Sequence, residues 1–129
     1  MSTLDYSTKD RISSMWTSES GLQYKSNIIT KIGGTIPLHA HSYSHDGIIT
    51  SGWWLVADEA PDGIIQTYQM ATTDFKPTRT DIAFNPIGFM IVIPAWHKHS
   101  FTLLEPGSTG VGSQICVWAG EPDTDDDGC

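Results

Sequence analysis

Five histidines occur in this chain of 129 residues, and four of them are spaced for metal chemistry. His39, His41 and His45 share the stretch His39-Ala40-His41-Ser42-Tyr43-Ser44-His45, and His99 closes the distant run Pro94-Ala95-Trp96-His97-Lys98-His99. Imidazole is the commonest metal ligand among side chains and suits zinc, copper, iron and nickel. Residues i and i+2 of a β-strand point to one face, so His39 and His41 can aim two nitrogens at one ion without distorting the backbone. His45 keeps that parity if the strand continues or turns once. The expectation is one divalent metal ion held by His39, His41, His45 and His99. His97 reads as an exposed loop histidine rather than a fifth ligand.

Such a site needs strands to hold it, and the chain is written largely in strands. Short runs rich in Ile, Val, Trp, Tyr and Phe alternate with Gly, Pro and Asp punctuation. Strands are expected at Ser26–Ile32, Thr35–His41, Asp46–Val56, Ile64–Met70, Gly88–Ile93, His99–Leu104 and Val111–Trp118. Asp62-Gly63 is a hairpin signal between two of them. The segment 71–85 reads as a long loop carrying Lys76 and Arg79, able to act as a lid. Many short strands at close spacing point to an all-β sandwich or barrel. The organisation is an N-terminal segment over 1–25, a short helix or edge strand; a barrel over 26–120; and an acidic flexible tail over 121–129.

Composition narrows the function. Fifteen acidic residues against seven basic ones give a net charge of −8. That argues against nucleic acid or an anionic membrane surface as partner, since both select clustered Lys and Arg. The two cysteines, Cys116 and Cys129, are too few for a disulfide framework. No apolar run approaches membrane-spanning length, and Met1-Ser2-Thr3-Leu4-Asp5 carries no signal-peptide pattern, so a cytoplasmic protein is the expectation. No serine sits in a nucleophile-elbow glycine pattern, which speaks against a hydrolase triad.

The histidine motifs resemble those of the cupin superfamily. Gly33, five residues, His39-Ala40-His41, three residues, His45, six residues and Gly52 reproduce the spacing of its first motif, with histidine where glutamate is usual. Gly88, five residues, Pro94 and His99 reproduce its second, with Trp96 in place of glycine and Leu103 in place of asparagine. The resemblance spans Gly33 to about Val117. It implies a double-stranded β-helix, or jelly-roll barrel, with the metal held inside by the motif residues. Trp96 implies either an altered turn or a side chain reaching over the barrel mouth.

Four neutral imidazoles would leave a divalent ion (Mn, Fe, Ni, Zn or Cu) its full positive charge and strong Lewis acidity. Without the usual glutamate, proton transfer falls to a neighbour of the ligands, with Tyr43, Asp46, Tyr68 and Gln66 as the candidates. The resemblance implies a metal-dependent enzyme acting on a small chelating substrate, by dioxygenase-like or Lewis-acid isomerase, lyase or cyclase chemistry. Two other readings stay open: a non-catalytic cupin binding a small molecule or sugar, and a structural metalloprotein with a closed tetrahedral site. A homodimer is expected, with the segment around Trp16 as the exchanged or covering element.

Overall fold

The computed structural model describes residues 3–7, 11–73 and 75–122. Among them there is no helix. Ten strands run β1 (Thr3–Ser7), β2 (Arg11–Thr17), β3 (Leu22–Ile29), β4 (Thr35–His39), β5 (His45–Ser51), β6 (Trp53–Glu59), β7 (Ile65–Ala71), β8 (Met90–Ile93), β9 (His99–Glu105) and β10 (Gly112–Ala119). They form two antiparallel sheets, ordered β1-β2-β3-β10-β5-β8 and β4-β9-β6-β7. Non-consecutive strands lie side by side in both, which is the jelly-roll arrangement of the cupins. The core between the sheets is built from Ile29, Ile36, Ile49, Trp54, Val56, Met70, Ile93, Phe101 and Leu103. On β5, β6 and β9 the alternation that buries these residues aims every second side chain at the barrel axis.

Two expectations need correction, and one pair of alternatives is decided. The apolar run Asp46–Val56 is two strands rather than one. Gly52 breaks it with φ +93°, and a Cβ there would lie 2.9 Å from the Glu105 carbonyl oxygen. A left-handed backbone in so tight a place admits only glycine. The chain therefore crosses from the six-stranded to the four-stranded sheet at that residue. The N-terminal segment takes the edge-strand form of its two expected alternatives: β1, at the edge of the large sheet, and β2 make an antiparallel hairpin whose second strand pairs with β3 along its length. The long loop is no lid over the histidines. Phe75 and Ile82 pack against Trp53, Ala71 and Leu104, and Phe84 meets Trp53 edge-on at 5.2 Å between ring centroids. Arg79 donates to the Leu104 carbonyl, and the Glu105 carboxylate accepts from the Thr78 and Arg79 amides. The segment is a strap over the outside of the four-stranded sheet, anchored where β9 ends, whereas His99 is where β9 begins. Residues 123–129 of the expected acidic tail lie outside the described residues.

The half of the large sheet beyond β10 has a reversed polarity. Its inward positions carry Arg11, Ser13, Gln23, Lys25 and Asn27, all buried. Ser13 donates to Asn27 at 2.5 Å and Asn27 to Gln114 at 2.9 Å, a hydrogen-bonded strip across three strands. Burial of Ser13, Asn27 and Gln114 is tolerable because the strip supplies their partners from within.

Candidate metal centre

Three histidines converge inside the barrel mouth. His39 ends β4 and His99 opens β9, and the two are register partners. His41 follows β4 by two residues. One ring nitrogen from each of His39, His41 and His99 lies within 4.8 Å of the others. The orientation of two rings is set by the backbone. His39 Nδ1 bonds the Pro37 carbonyl at 2.5 Å and His99 Nδ1 bonds the His97 carbonyl at 2.9 Å. A carbonyl only accepts, so each Nδ1 carries the proton and each Nε2 keeps its lone pair, the ligating form. The Nε2 atoms of His39 and His41 are 3.0 Å apart. Two imidazoles at right angles on one ion, each about 2.1 Å away, have about that separation.

His45, the first residue of β5, faces the same three rings. Its centroid is 4.9 Å from that of His99 and 5.3 Å from that of His41. Its side chain is buried, and neither ring nitrogen has a hydrogen-bond partner. Burial, and then the charge repulsion of His99, His41 and His39, pushes its pKa from 6.5 down to about 3. At neutral pH the ring is therefore uncharged and able to coordinate. Leaving two polar atoms dry costs on the order of 1–3 kcal/mol each. A metal ion among the four rings would recover part of that cost. The donor set thus fits a borderline divalent ion: three nitrogens already clustered and a fourth imidazole adjacent with no other partner.

Surrounding groups differ in what they can do. Tyr43 stacks on His41 at 4.8 Å and 11°, and its other face stacks on Trp118 at 4.7 Å and 16°. It braces a ligand ring through its flat faces. Tyr68, on β7, donates its hydroxyl proton to Asp58 Oδ2 at 3.1 Å, and burial followed by Asp58 raises its pKa. Gln66 is exposed at the rim, paired in register with Asp58. Asp46 has the opposite parity to His45 and lies on the outer face of its sheet. His97 stands outside the cluster, with Nδ1 on the Glu59 carbonyl at 2.8 Å.

Asp58 was missed in the sequence. It is the register partner of His99 on β6, so both side chains share the inward face. Its Oδ1 is buried with no hydrogen bond. Parity from Trp54 and Val56 puts Asp58 inward, but the pairing with a residue forty-one positions away leaves no local trace.

The mouth beside His41 is a crevice of about 310 Å³, lined by Ser42, Tyr43, Trp96 and Glu121 among others. Trp96 settles the alternatives posed by the missing glycine. Its φ is +65°, the left-handed conformation a glycine would supply, and its amide bonds the His41 carbonyl at 2.6 Å. The turn is kept at a strain of about 1–2 kcal/mol, and the side chain stands 68% exposed over the crevice. A larger hydroxyl-lined cleft of about 470 Å³ lies at the opposite end of the barrel, around Glu105, and touches none of the histidines.

No family model matches the chain. No curated protein matches it either. Solved structures do. One of oxalate decarboxylase from Bacillus subtilis, concerned with its Mn(II) centres, superposes with a TM-score of 0.68 at 15% identity, over 95% of this chain and 28% of its own. Oxalate oxidase with the substrate analogue glycolate gives 0.66 at 14% identity, over 92% and 56%. A conserved Streptococcus pyogenes protein of unknown function gives 0.57 at 16%, over 91% and 80%. The chain spans little more than a quarter of the decarboxylase. These likenesses establish the fold: a cupin jelly roll, here with a histidine cluster able to hold a metal ion.

Proposed function

We propose that this protein is a metal-dependent enzyme in which His39, His41, His99 and His45 hold one divalent ion, and that its substrate is a small organic acid able to chelate. The observation that carries the reading is His45: a buried imidazole with two orphaned nitrogens, facing three rings already in ligand geometry. When bound, the ion supplies Lewis acidity or a redox centre, undiminished by any carboxylate ligand.

Charge selects the substrate class. No described lysine or arginine lines the mouth crevice, whereas Glu121 does. An anionic substrate would find its counter-charge at the ion that the four neutral imidazoles would hold. The oxalate-active enzymes of the same fold support a small carboxylic acid. A crevice of about 310 Å³ reaching His41 favours a substrate site over a closed structural ion.

The chain's own groups then divide the work. Tyr43, held by Trp118, keeps the His41 ring in plane. Trp96 overhangs the crevice and shields its apolar side from water. Asp58 Oδ1 takes or returns a proton at the inward face beside His99. The Tyr68 hydroxyl, kept protonated by its raised pKa, holds Oδ2 in place. The test is metal analysis of protein purified without added metal, followed by turnover of a panel of small dicarboxylic and α-hydroxy acids. A bound divalent ion with turnover of one such acid supports the reading. Absence of any stoichiometric metal after loading refutes it.

A further inference from the structure

The inward face of β2, β3 and β10 forms a trough that the core between the sheets does not fill. That core takes one residue from β3, Ile29 at its end, and none from β2. The register lays the trough out in rows. Thr17, Gln23 and Trp118 share the row nearest the mouth, Met15, Lys25 and Cys116 the next, and Ser13, Asn27 and Gln114 the third. Lys25 and Cys116 are wholly buried, and a second buried cation, Arg11, lies at the far end. A buried ammonium persists only with carboxylates close by. Cys116 is disulfide-bonded rather than free. The chain has one other cysteine, Cys129, in the run Glu121-Pro122-Asp123-Thr124-Asp125-Asp126-Asp127-Gly128-Cys129, which carries five carboxylates. Where β10 ends, Gly120 turns the chain at φ +119°. The Gly120 carbonyl accepts from Gln23 Nε2 and the Glu121 carbonyl from Trp118 Nε1, both at 2.9 Å. Two inward side chains thus draw the chain that leaves β10 over the trough.

We infer that segment 121–129 folds back into this trough as an acidic plug, with its aspartates on Lys25 and a disulfide between Cys129 and Cys116. Reach and charge favour this occupant. Cys116 lies one row, about 7 Å, below Trp118. The eight residues from Glu121 to Cys129 extend up to about 26 Å. Cys129 therefore reaches the second row with length left for the aspartates to turn in beside Lys25. Carboxylates and ammonium meet there out of water, where their attraction is strongest. Forming the S–S bond releases two protons and two electrons from the two thiols. A small disulfide such as glutathione disulfide accepts them and leaves as two thiols. Complete burial of Cys116 keeps the thiol of a second copy away and makes the bond intramolecular. Glu121 and Pro122 line the crevice beside His41. The disulfide thus sets one wall of the mouth, with or without a bound ion, and its reduction releases that wall.

Equilibration of the full chain with glutathione disulfide, then denaturation, maleimide labelling and intact-mass measurement, tests the inference. The expected product is a single chain two hydrogens lighter than its reduced form, with neither maleimide nor glutathione attached. A second arm tests the charge. Asp123→Asn, Asp125→Asn, Asp126→Asn and Asp127→Asn together should make the disulfide at least about 10-fold easier to reduce in glutathione mixtures, because they strip the carboxylates from a buried cation. All four positions follow β10 in the chain, and the far-ultraviolet circular dichroism of this variant should be that of the wild type. Two labelled or glutathione-bearing thiols in the wild type, or a disulfide-linked pair of chains, overturn the inference. So does a reduction equilibrium that the asparagine variant leaves unchanged.

Discussion

Removing the proton-binding capacity of His45 should flatten the acid limb of the protein's stability curve. In the unfolded chain this imidazole titrates at its ordinary value of 6.5, whereas in the folded barrel it titrates at about 3. Between those values the unfolded state binds a proton that the folded state refuses. Stability is therefore at its full value above about pH 6.5 and falls as the pH drops, levelling off below about pH 3. Going from pH 7.5 to pH 5.0 the difference amounts to about 2 kcal/mol at 1.36 kcal/mol per pH unit. For a domain of this size that lowers the melting temperature by about 8 °C. The groups facing His45 are His39, His41 and His99, and all three are present in both proteins compared. The assay is thermal or urea unfolding of chelator-treated protein from pH 8 to pH 4, for the wild type and for His45→Gln. The variant should lose about 2 kcal/mol less over this range than the wild type. Parallel curves for the two proteins would show that His45 is solvated or charged in the fold, and would refute the reasoning.

Metal at 100 times its dissociation constant should stabilise the neutral protein by about 2.7 kcal/mol, read as a rise of roughly 10 °C in melting temperature that chelation reverses. Replacing Tyr43 by Ala should weaken metal binding about 10- to 100-fold, the usual effect of losing a group that orients a ligand. Tyr43→Phe, which keeps the stack on His41, should bind as the wild type does in the same titration. Asp58→Asn should leave metal affinity within a few-fold and lower turnover of an acid substrate 10²- to 10⁴-fold, the usual weight of a general base. Gly52→Ala should destabilise by about 2–3 kcal/mol, since it puts a Cβ at 2.9 Å from a carbonyl oxygen on a left-handed backbone, measurable as a lower midpoint in urea.

Much of the barrel is legible before folding. From Ile64 to Trp118 the expected strands match the observed ones to within two residues, because alternation and Gly or Pro stops coincide there. The run from Asp46 to Val56 misleads because its apolar residues continue across Gly52, and only the crossing between sheets reveals that glycine's role. The hairpin of β1 and β2 hides for another reason. Arg11, Ser13 and Lys25 point inward, so hydrophobicity does not report which face is buried. The strap was legible as a loop, yet its Phe75, Ile82 and Phe84 were the sign that it packs rather than hovers. At the histidine cluster, motif spacing brought out the residues, although His41 lies beyond the end of β4 and His45 opens the next strand, so the parity of a single strand does not account for their meeting. Asp58 stayed hidden because its place beside His99 is a property of sheet register. Trp96 was legible as an anomaly, and the backbone shows that the turn kept its shape while the side chain went out over the mouth.

The most direct measurement is anomalous diffraction at a metal absorption edge from crystals of the loaded protein. The expected result is one peak inside the barrel mouth, about 2.0–2.3 Å from a ring nitrogen of each of His39, His41, His99 and His45. A peak bound elsewhere, or one with His45 turned away from it, would contradict the four-histidine centre.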